Sequence, residues 1–189
     1  MIVREGSEMS ETINVLEFKM FDPVEAGEPW ALSFGAFNKV VDILIDRKSL
    51  LETIREIEMP YMEEEGLLPD LADFSYGHLS PHDLYFDLTT AASEDEIDSF
   101  SHEYGAELYC CADCGESGCW SVVTHIRIEE DYVYWFDFEQ NHRDWEYNLE
   151  YKFDRTQYDQ AMVFLKRLES VQKKVPPYLP EWRRAYRTD

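Results

Sequence analysis

Two neighbouring segments of alternating polarity constrain the fold more than any other feature of this chain. Apolar or β-branched residues alternate with others from Trp120 to Glu129, the acidic turn Glu130-Asp131 follows, and aromatic residues alternate from Tyr132 to Glu139. A period of two is typical of β-strands, and the short turn predicts an antiparallel hairpin. The expected apolar faces are Val122, Thr124, Ile126 and Ile128 on the first strand, and Tyr132, Tyr134, Phe136 and Phe138 on the second.

One helix is predicted before this hairpin in the chain and another after it. The capping-box pattern Ser49-Leu50-Leu51-Glu52 opens a helix over 50–59, which Pro60 is expected to end. Asp154 is the expected N-cap of a helix over 155–172, with Gln157 at its third position. Each helix has one apolar face that can cover the sheet. These faces carry Leu50, Ile54 and Ile57 in the first helix and Tyr158, Met162, Leu165 and Leu168 in the second.

The remaining patterns complete an α+β fold. Further strands are predicted over 13–20, 30–37, 40–46 and 106–111, and a second capping signature at Ser93 predicts a short helix. Residues 61–92 are predicted to be mainly loop, because glycine and proline recur there. We expect a single domain over 13–175, a mostly antiparallel sheet with two or three packed helices. A flexible leader over 1–12 and a basic tail of Pro, Trp and Arg residues over 176–189 flank it.

The charge of the chain is strongly negative. Forty acidic residues stand against 17 basic ones, a formal net charge of −23, although residues 166–189 hold seven bases and three acids. An acidic body repels phosphate backbones, so direct binding of nucleic acid is not expected. The charge is typical either of a soluble, self-repelling surface or of a surface complementary to a basic protein partner. No segment approaches the ~20 apolar residues that span a bilayer, and the N-terminus lacks a signal peptide. We therefore expect a cytoplasmic protein that does not bind membranes.

All four cysteines lie in one short segment, the Cys110–Cys119 turn. A C-x2-C spacing can present two thiolates to zinc, so Cys111, Cys114 and Cys119 are candidate ligands, with His142 or His125 as the fourth. Two other interpretations stay open. The thiols can be small buried side chains that fill a tight turn, or they can be reactive or redox-active, since structural disulfides are rare in the cytoplasm.

The segment after the hairpin carries a second group of candidates. His142 lies beside Arg143 and close to Glu139, so it can serve as a general base or a ligand. The alternative is a loop held by side-chain hydrogen bonds, in which Arg143 pairs with Asp144 or Glu146. Apart from the zinc ligands, the candidate site residues are Gln140, Arg143, Trp120 and Trp135.

Several of these residues belong to motifs that resemble a widespread bacterial family of uncharacterised proteins. The motifs are Cys114-Gly115-Glu116-Ser117-Gly118-Cys119-Trp120, Val133 to Arg143, Trp145-Glu146-Tyr147, and Phe153-Asp154-Arg155 followed by Gln157-Tyr158. The resemblance covers roughly residues 40–170 in consistent order and spacing. It departs at Asn141, where the family often has proline before the histidine. The resemblance implies one ordered domain and directs attention to the motif residues, but it names no reaction.

Two functions are expected from these observations. The first is a non-enzymatic acidic interaction protein, such as an immunity or antitoxin-like protein, that binds a basic partner. The second is a zinc-binding or thiol-dependent protein that uses the cysteine turn and His142. The first is favoured because the excess of acidic residues extends over most of the chain.

Overall fold

The computed structural model describes residues 12–23, 25–27, 39–67, 76–91, 105–112 and 119–172. Within these ranges the chain folds into three helices and two mostly antiparallel sheets, which confirms the α+β class. The helices are α1 (Leu50–Glu64), α2 (Pro81–Thr90) and α3 (Arg155–Gln172).

Nine strands form the two sheets of the described residues. The smaller sheet is β2 (Leu16–Phe21), β3 (Val40–Ile45) and β4 (Lys48–Ser49), in that order. The larger sheet has the order β1-β9-β8-β7-β6-β5. Its strands are β1 (Ile13–Asn14), β5 (Tyr76–His78), β6 (Ala106–Cys111), β7 (Val122–Ile128), β8 (Tyr132–Gln140) and β9 (Tyr151–Asp154). Among the pairings of these nine strands, β1 with β9 is parallel.

Strands β7 and β8 form the predicted hairpin, but β8 does not keep one apolar face. The register passes from Val123 opposite Glu139 to His125 opposite Phe136, so β8 holds one extra residue. Asp137 lies in this bulge and has a φ of 50°. Because a bulge inverts the alternation that follows it, Phe138 joins the core. The prediction that Tyr132, Tyr134, Phe136 and Phe138 share a face was therefore wrong.

Helix α1 begins where predicted, with Ser49 as its N-cap residue, but it does not end as predicted. The Ser49 hydroxyl donates to Asp42 Oδ1 on β3 at 2.8 Å and makes no cap hydrogen bond, so the side-chain bonding of the capping box was wrong. Pro60 lies inside the helix, which continues to Glu64. A proline in a helix interior costs one hydrogen bond. Here the last turn is held by tertiary contacts, since Met62 is buried in the core.

Helix α2 lies in the region that was predicted to be loop. Ser80 is its N-cap: its hydroxyl accepts from the Asp83 backbone N–H at 3.2 Å, and Pro81 occupies the first helical position. Proline is favoured at that position, because the first N–H of a helix has no partner within the helix. The Ser-Pro-x-Asp sequence was a helix-start signal, so the loop prediction for 61–92 was wrong in both its first and its last part.

Helix α3 has the predicted bounds and the predicted N-cap. The Gln157 backbone N–H donates to Asp154 Oδ1 at 3.0 Å. The Gln157 side chain does not reach back to the cap. Instead its amide pairs with the backbone of Leu16 on β2, through bonds of 2.6 and 3.2 Å. This contact ties α3 to the smaller sheet.

The two predicted helix faces pack into one core. Ile54 and Leu165 are fully buried, Tyr158 and Met162 are nearly so, and Ile57 packs against the same cluster. Burial of such a side chain is worth roughly 1.5–3 kcal/mol. The predicted burial of these side chains is confirmed, although α1 packs against β3 and β4 of the smaller sheet, whereas α3 contacts strands of both sheets.

Four sequence predictions lie wholly or largely outside the described residues. These are the strand over 30–37, the helix opening at Ser93, the leader over 1–12 except Thr12, and the tail over 176–189. Within the described part of the chain, no helix combines the length and the apolar character that crossing a bilayer requires.

Candidate functional site

The end of α1 and the segment 141–150 after β8 meet in a stacked cluster of rings around one arginine. We define the stacked cluster as Tyr61, Trp120, His142, Arg143 and Trp145. His142 stacks on Trp120 with ring centres 5.7 Å apart, and Trp145 stacks on Tyr61 at 5.5 Å. The Arg143 guanidinium carbon lies over both indoles, 5.1 Å from Trp120 and 4.8 Å from Trp145. Three of the predicted site residues thus come together.

The Glu65 carboxylate binds two residues of the stacked cluster. Its Oε2 accepts a hydrogen bond from Arg143 Nη1 at 2.8 Å, and its Oε1 accepts from Trp145 Nε1 at 2.8 Å. The expected pairing of Arg143 with Asp144 or Glu146 is therefore replaced by a contact with α1. The physical reason is the extension of α1 beyond Pro60, which brings Glu65 to the arginine.

A buried carboxylate anchors the segment 141–150 beneath the stacked cluster. Glu58 is only 2% exposed, and its Oε1 accepts hydrogen bonds from the Tyr76 and Tyr147 hydroxyls, each at 2.5 Å. Burial raises the pKa of Glu58, against the lowering effect of the two hydroxyls and of Arg143 and Arg55. Since Tyr147 follows Trp145 by two residues, this hydrogen-bond network also holds the backbone that carries the Trp145 ring.

Gln140 shapes the turn that presents His142 and Arg143. It is 2% exposed. Its side-chain Oε1 accepts from the His142 backbone N–H at 2.7 Å, and its backbone oxygen accepts from the Arg143 N–H at 3.1 Å. Among the described residues its Nε2 has no acceptor. Gln140 therefore serves the candidate site by positioning, as a buried residue of β8.

Trp135 does not belong to the surface site. Its side chain is 0% exposed, and its ring meets Phe153 at 5.4 Å and Tyr158 at 6.3 Å in the core. The alternation of β8 could not show which side of the strand lies in the core, because large apolar side chains stand on both sides of it before the bulge.

The described cysteines differ in burial. Cys110 is buried on β6, its thiol donates to the Gly77 oxygen at 3.4 Å, and burial raises its pKa to about 12. Cys111 is also buried, whereas Cys119 is exposed. Cys114 lies outside the described residues. A high pKa keeps the Cys110 thiol protonated, which disfavours it as a nucleophile.

The zinc hypothesis stays a prediction. In the described ranges, no group of three or more His, Cys, Asp or Glu side chains is arranged to hold a metal ion. Of the four ligands predicted, Cys111, Cys119 and His142 are described and Cys114 is not. The His142 ring is stacked on Trp120.

Sequence reasoning missed the acidic and tyrosine partners of the site. Tyr61 and Glu65 were overlooked because the helix was expected to end at residue 59, and Glu58 was overlooked because no local signal marks it as a buried member of that helix. Trp145 and Tyr147 were part of the W-x-Y motif, so a signal for them existed. Nothing in the sequence placed this motif against α1, since the two segments are some 80 residues apart.

A second buried acidic group lies between α2 and β6, apart from the stacked cluster. Glu107 is buried and accepts a hydrogen bond from the Ser121 hydroxyl. Burial raises the pKa of Asp87 to about 7, with further contributions from the charges of Glu107 and Asp83. The native protein therefore binds a proton at Asp87 that the unfolded chain releases at lower pH.

Because the native state binds this proton more tightly than the unfolded chain does, the free energy of unfolding falls as pH rises. The stabilising contribution is complete below pH ~4, the unfolded pKa, and is lost as pH passes through about 7. Asp87→Asn lacks this titration. We expect its free energy of unfolding to rise relative to the wild type by about 1–2 kcal/mol between pH ~4 and ~8, a value reduced for solvent screening. Urea denaturation across this range measures the change.

The matched control for Asp87→Asn is Asp131→Asn, the same chemical change at an exposed carboxylate in the β7–β8 turn. We expect its difference from the wild type to stay constant over the same pH range. A constant difference for Asp87→Asn as well would contradict the assignment of the titration to Asp87.

Comparison with known protein families, with curated proteins and with solved structures gives no match. The resemblance to the bacterial family therefore stays a prediction that rests on the motif residues. The candidate site is defined by its own geometry: a stack of rings around one arginine, held by α1 and surrounded by carboxylates.

Proposed function

We propose that this protein is a non-enzymatic interaction protein that binds a basic protein partner through the stacked cluster and the carboxylates around it. The observation that carries the proposal is that four exposed carboxylates belong to the two segments that carry the partly exposed Tyr61 and Trp145 rings of the stacked cluster. These are Glu64, Glu65, Asp144 and Glu146.

The carboxylates lie close to the rings on both sides of the site. Glu64 follows Tyr61 by three residues on α1, which places the two on neighbouring positions of the helix surface. Asp144 and Glu146 flank Trp145, and the Glu146 backbone N–H lies 3.4 Å from the Tyr61 hydroxyl. Arg143 neutralises one of these charges through Glu65. The face therefore keeps an excess of negative charge, as the whole chain does.

The composition of this face is that of a binding interface. Tryptophan, tyrosine and arginine are the residues that most often dominate binding energy, and polar groups usually surround them. Complementary charges accelerate association and select partners of the opposite sign. A toxin or nuclease with a basic surface is the kind of partner that such a face fits, which is the role of an immunity or antitoxin-like protein.

The test is affinity capture from the native cell with the full-length chain. We expect a basic protein to be recovered at about 50 mM salt and lost at about 500 mM, because the Debye length falls from about 14 Å to about 4 Å. The triple variant Glu64→Gln, Asp144→Asn, Glu146→Gln should lose the same protein at low salt.

The control removes three charges elsewhere. Glu17, Glu130 and Asp131 are exposed residues away from the stacked cluster, and the variant Glu17→Gln, Glu130→Gln, Asp131→Asn should retain the partner. Equal loss in both triple variants would show that net charge, and not this face, binds the partner. Recovery of no basic protein at either salt concentration would contradict the proposed function.

A further inference from the structure

We infer that the stacked cluster recognises guanidinium groups, so that the partner presents arginine side chains rather than lysine. This inference rests on the proposed function and names the chemistry that the same face selects. It is carried by the way the cluster already holds a guanidinium of its own.

The contacts of Arg143 show that the rings and Glu65 can bind a guanidinium group. The planar guanidinium of Arg143 lies over two indoles, at 5.1 Å from Trp120 and 4.8 Å from Trp145, while Nη1 donates to Glu65 at 2.8 Å. The Arg143 side chain is only 25% exposed. Cation–π contacts gain strength when water is excluded in this way. The site is thus built for stacking combined with hydrogen bonds to a carboxylate.

The ring contacts continue on either side of Arg143 to residues that are open to solvent. His142 stacks on Trp120 with an interplanar angle of 19°, and its side chain is exposed. Tyr61 stacks on Trp145 with an angle of 11° and is partly exposed. A guanidinium from a partner can extend the stack at these outer rings.

The neighbouring carboxylates supply the second half of guanidinium recognition. Arginine presents donors in a planar fork that matches a carboxylate, and it stacks on aromatic faces. The lysine ammonium is a compact and strongly hydrated charge that makes neither arrangement as well. Glu64, Asp144 and Glu146 are exposed next to the rings and can accept such donors.

Nucleobases also stack on exposed rings, but the charges here disfavour them. Binding of single strands combines stacking with a positive groove that follows the phosphates. The carboxylates around Tyr61 and Trp145 would repel those phosphates. An arginine-bearing protein segment satisfies both the rings and the charges.

The test compares probes of equal charge on the full-length chain. Labelled octa-arginine and octa-lysine are titrated at about 50 mM salt, with octathymidylate as a third probe, and binding is followed by fluorescence anisotropy. We expect octa-arginine to bind about fivefold more tightly than octa-lysine. The reason is that a guanidinium group can stack on an aromatic ring and donate two hydrogen bonds to one carboxylate, whereas an ammonium group does neither as well. Octathymidylate should bind more weakly than either peptide.

Two variants assign this preference to the outer rings. His142→Ala and Tyr61→Leu should each reduce the affinity for octa-arginine while leaving that for octa-lysine within about twofold, since ammonium binding relies on the carboxylates. Thermal melting checks that both variants fold. His142 is exposed, so the first variant keeps the test decisive if the second is unstable.

The outcomes separate this inference from the proposed function. Equal binding of the two peptides, or an unchanged preference in both variants, would overturn guanidinium recognition and leave the acidic interaction face standing. If neither peptide bound at low salt, both proposals would fail. If octathymidylate bound most tightly of the three probes, both proposals would be overturned, and the site would instead be one that binds single-stranded nucleic acid.

Discussion

Replacing Trp135 with alanine is expected to lower the free energy of unfolding by about 3–5 kcal/mol. The side chain is fully buried on β8 and packs against Phe153 and Tyr158, so its removal leaves a cavity between the larger sheet and α3. Chemical denaturation of the full-length chain measures the loss. The result matters because Trp135 was a candidate site residue in the sequence and is a core residue in the structure.

The matched control for Trp135→Ala is Trp145→Ala. Trp145 is only partly buried and stacks on Tyr61 at the surface, so we expect this variant to lose less than about 2 kcal/mol. It should instead weaken binding of the basic partner, whereas Trp135→Phe, which keeps most of the core volume, should leave binding unchanged. A larger loss of stability in Trp145→Ala than in Trp135→Ala would contradict the placement of the two rings.

Replacing Glu58 with alanine is expected to cost about 2–4 kcal/mol of stability. The change leaves the buried Tyr76 and Tyr147 hydroxyls without their acceptor, and an unsatisfied buried donor costs about 1–3 kcal/mol. The loss should also loosen the segment 141–150, because Tyr147 is held to α1 by this carboxylate. Urea denaturation measures the stability, and near-ultraviolet circular dichroism reports the packing of the tryptophans.

Glu58→Gln separates the hydrogen bonds from the charge. The amide oxygen can still accept from both hydroxyls, so we expect less than half of the loss seen in Glu58→Ala. The variants Tyr76→Phe and Tyr147→Phe each remove one donor and should cost about 1 kcal/mol apiece. Stability of Glu58→Ala within about 0.5 kcal/mol of the wild type would show that the network does not anchor the segment.

Local signals were sufficient where one element carries its own pattern. The β7–β8 hairpin followed from its period of two and its short acidic turn, and α3 followed from Asp154 and the stripe through Leu165. Side-chain alternation and helix capping act over a few residues, so the sequence exposes them directly. The same reasoning failed at Pro60 and at Ser49. There, Met62 packing and the Asp42 contact outweighed the local preference.

The sequence by itself determined the α+β class, the hairpin, the start and end of α3, and the net negative charge of the chain. It also singled out His142, Arg143 and Trp120 as chemically unusual. Only the tertiary structure decided that Arg143 pairs with Glu65, that Tyr61 continues the stack, and that Trp135 lies in the core. The physical reason is that these contacts join segments far apart in the chain. Their partners are set by how α1 packs beside the segment 141–150, and no local pattern encodes that choice.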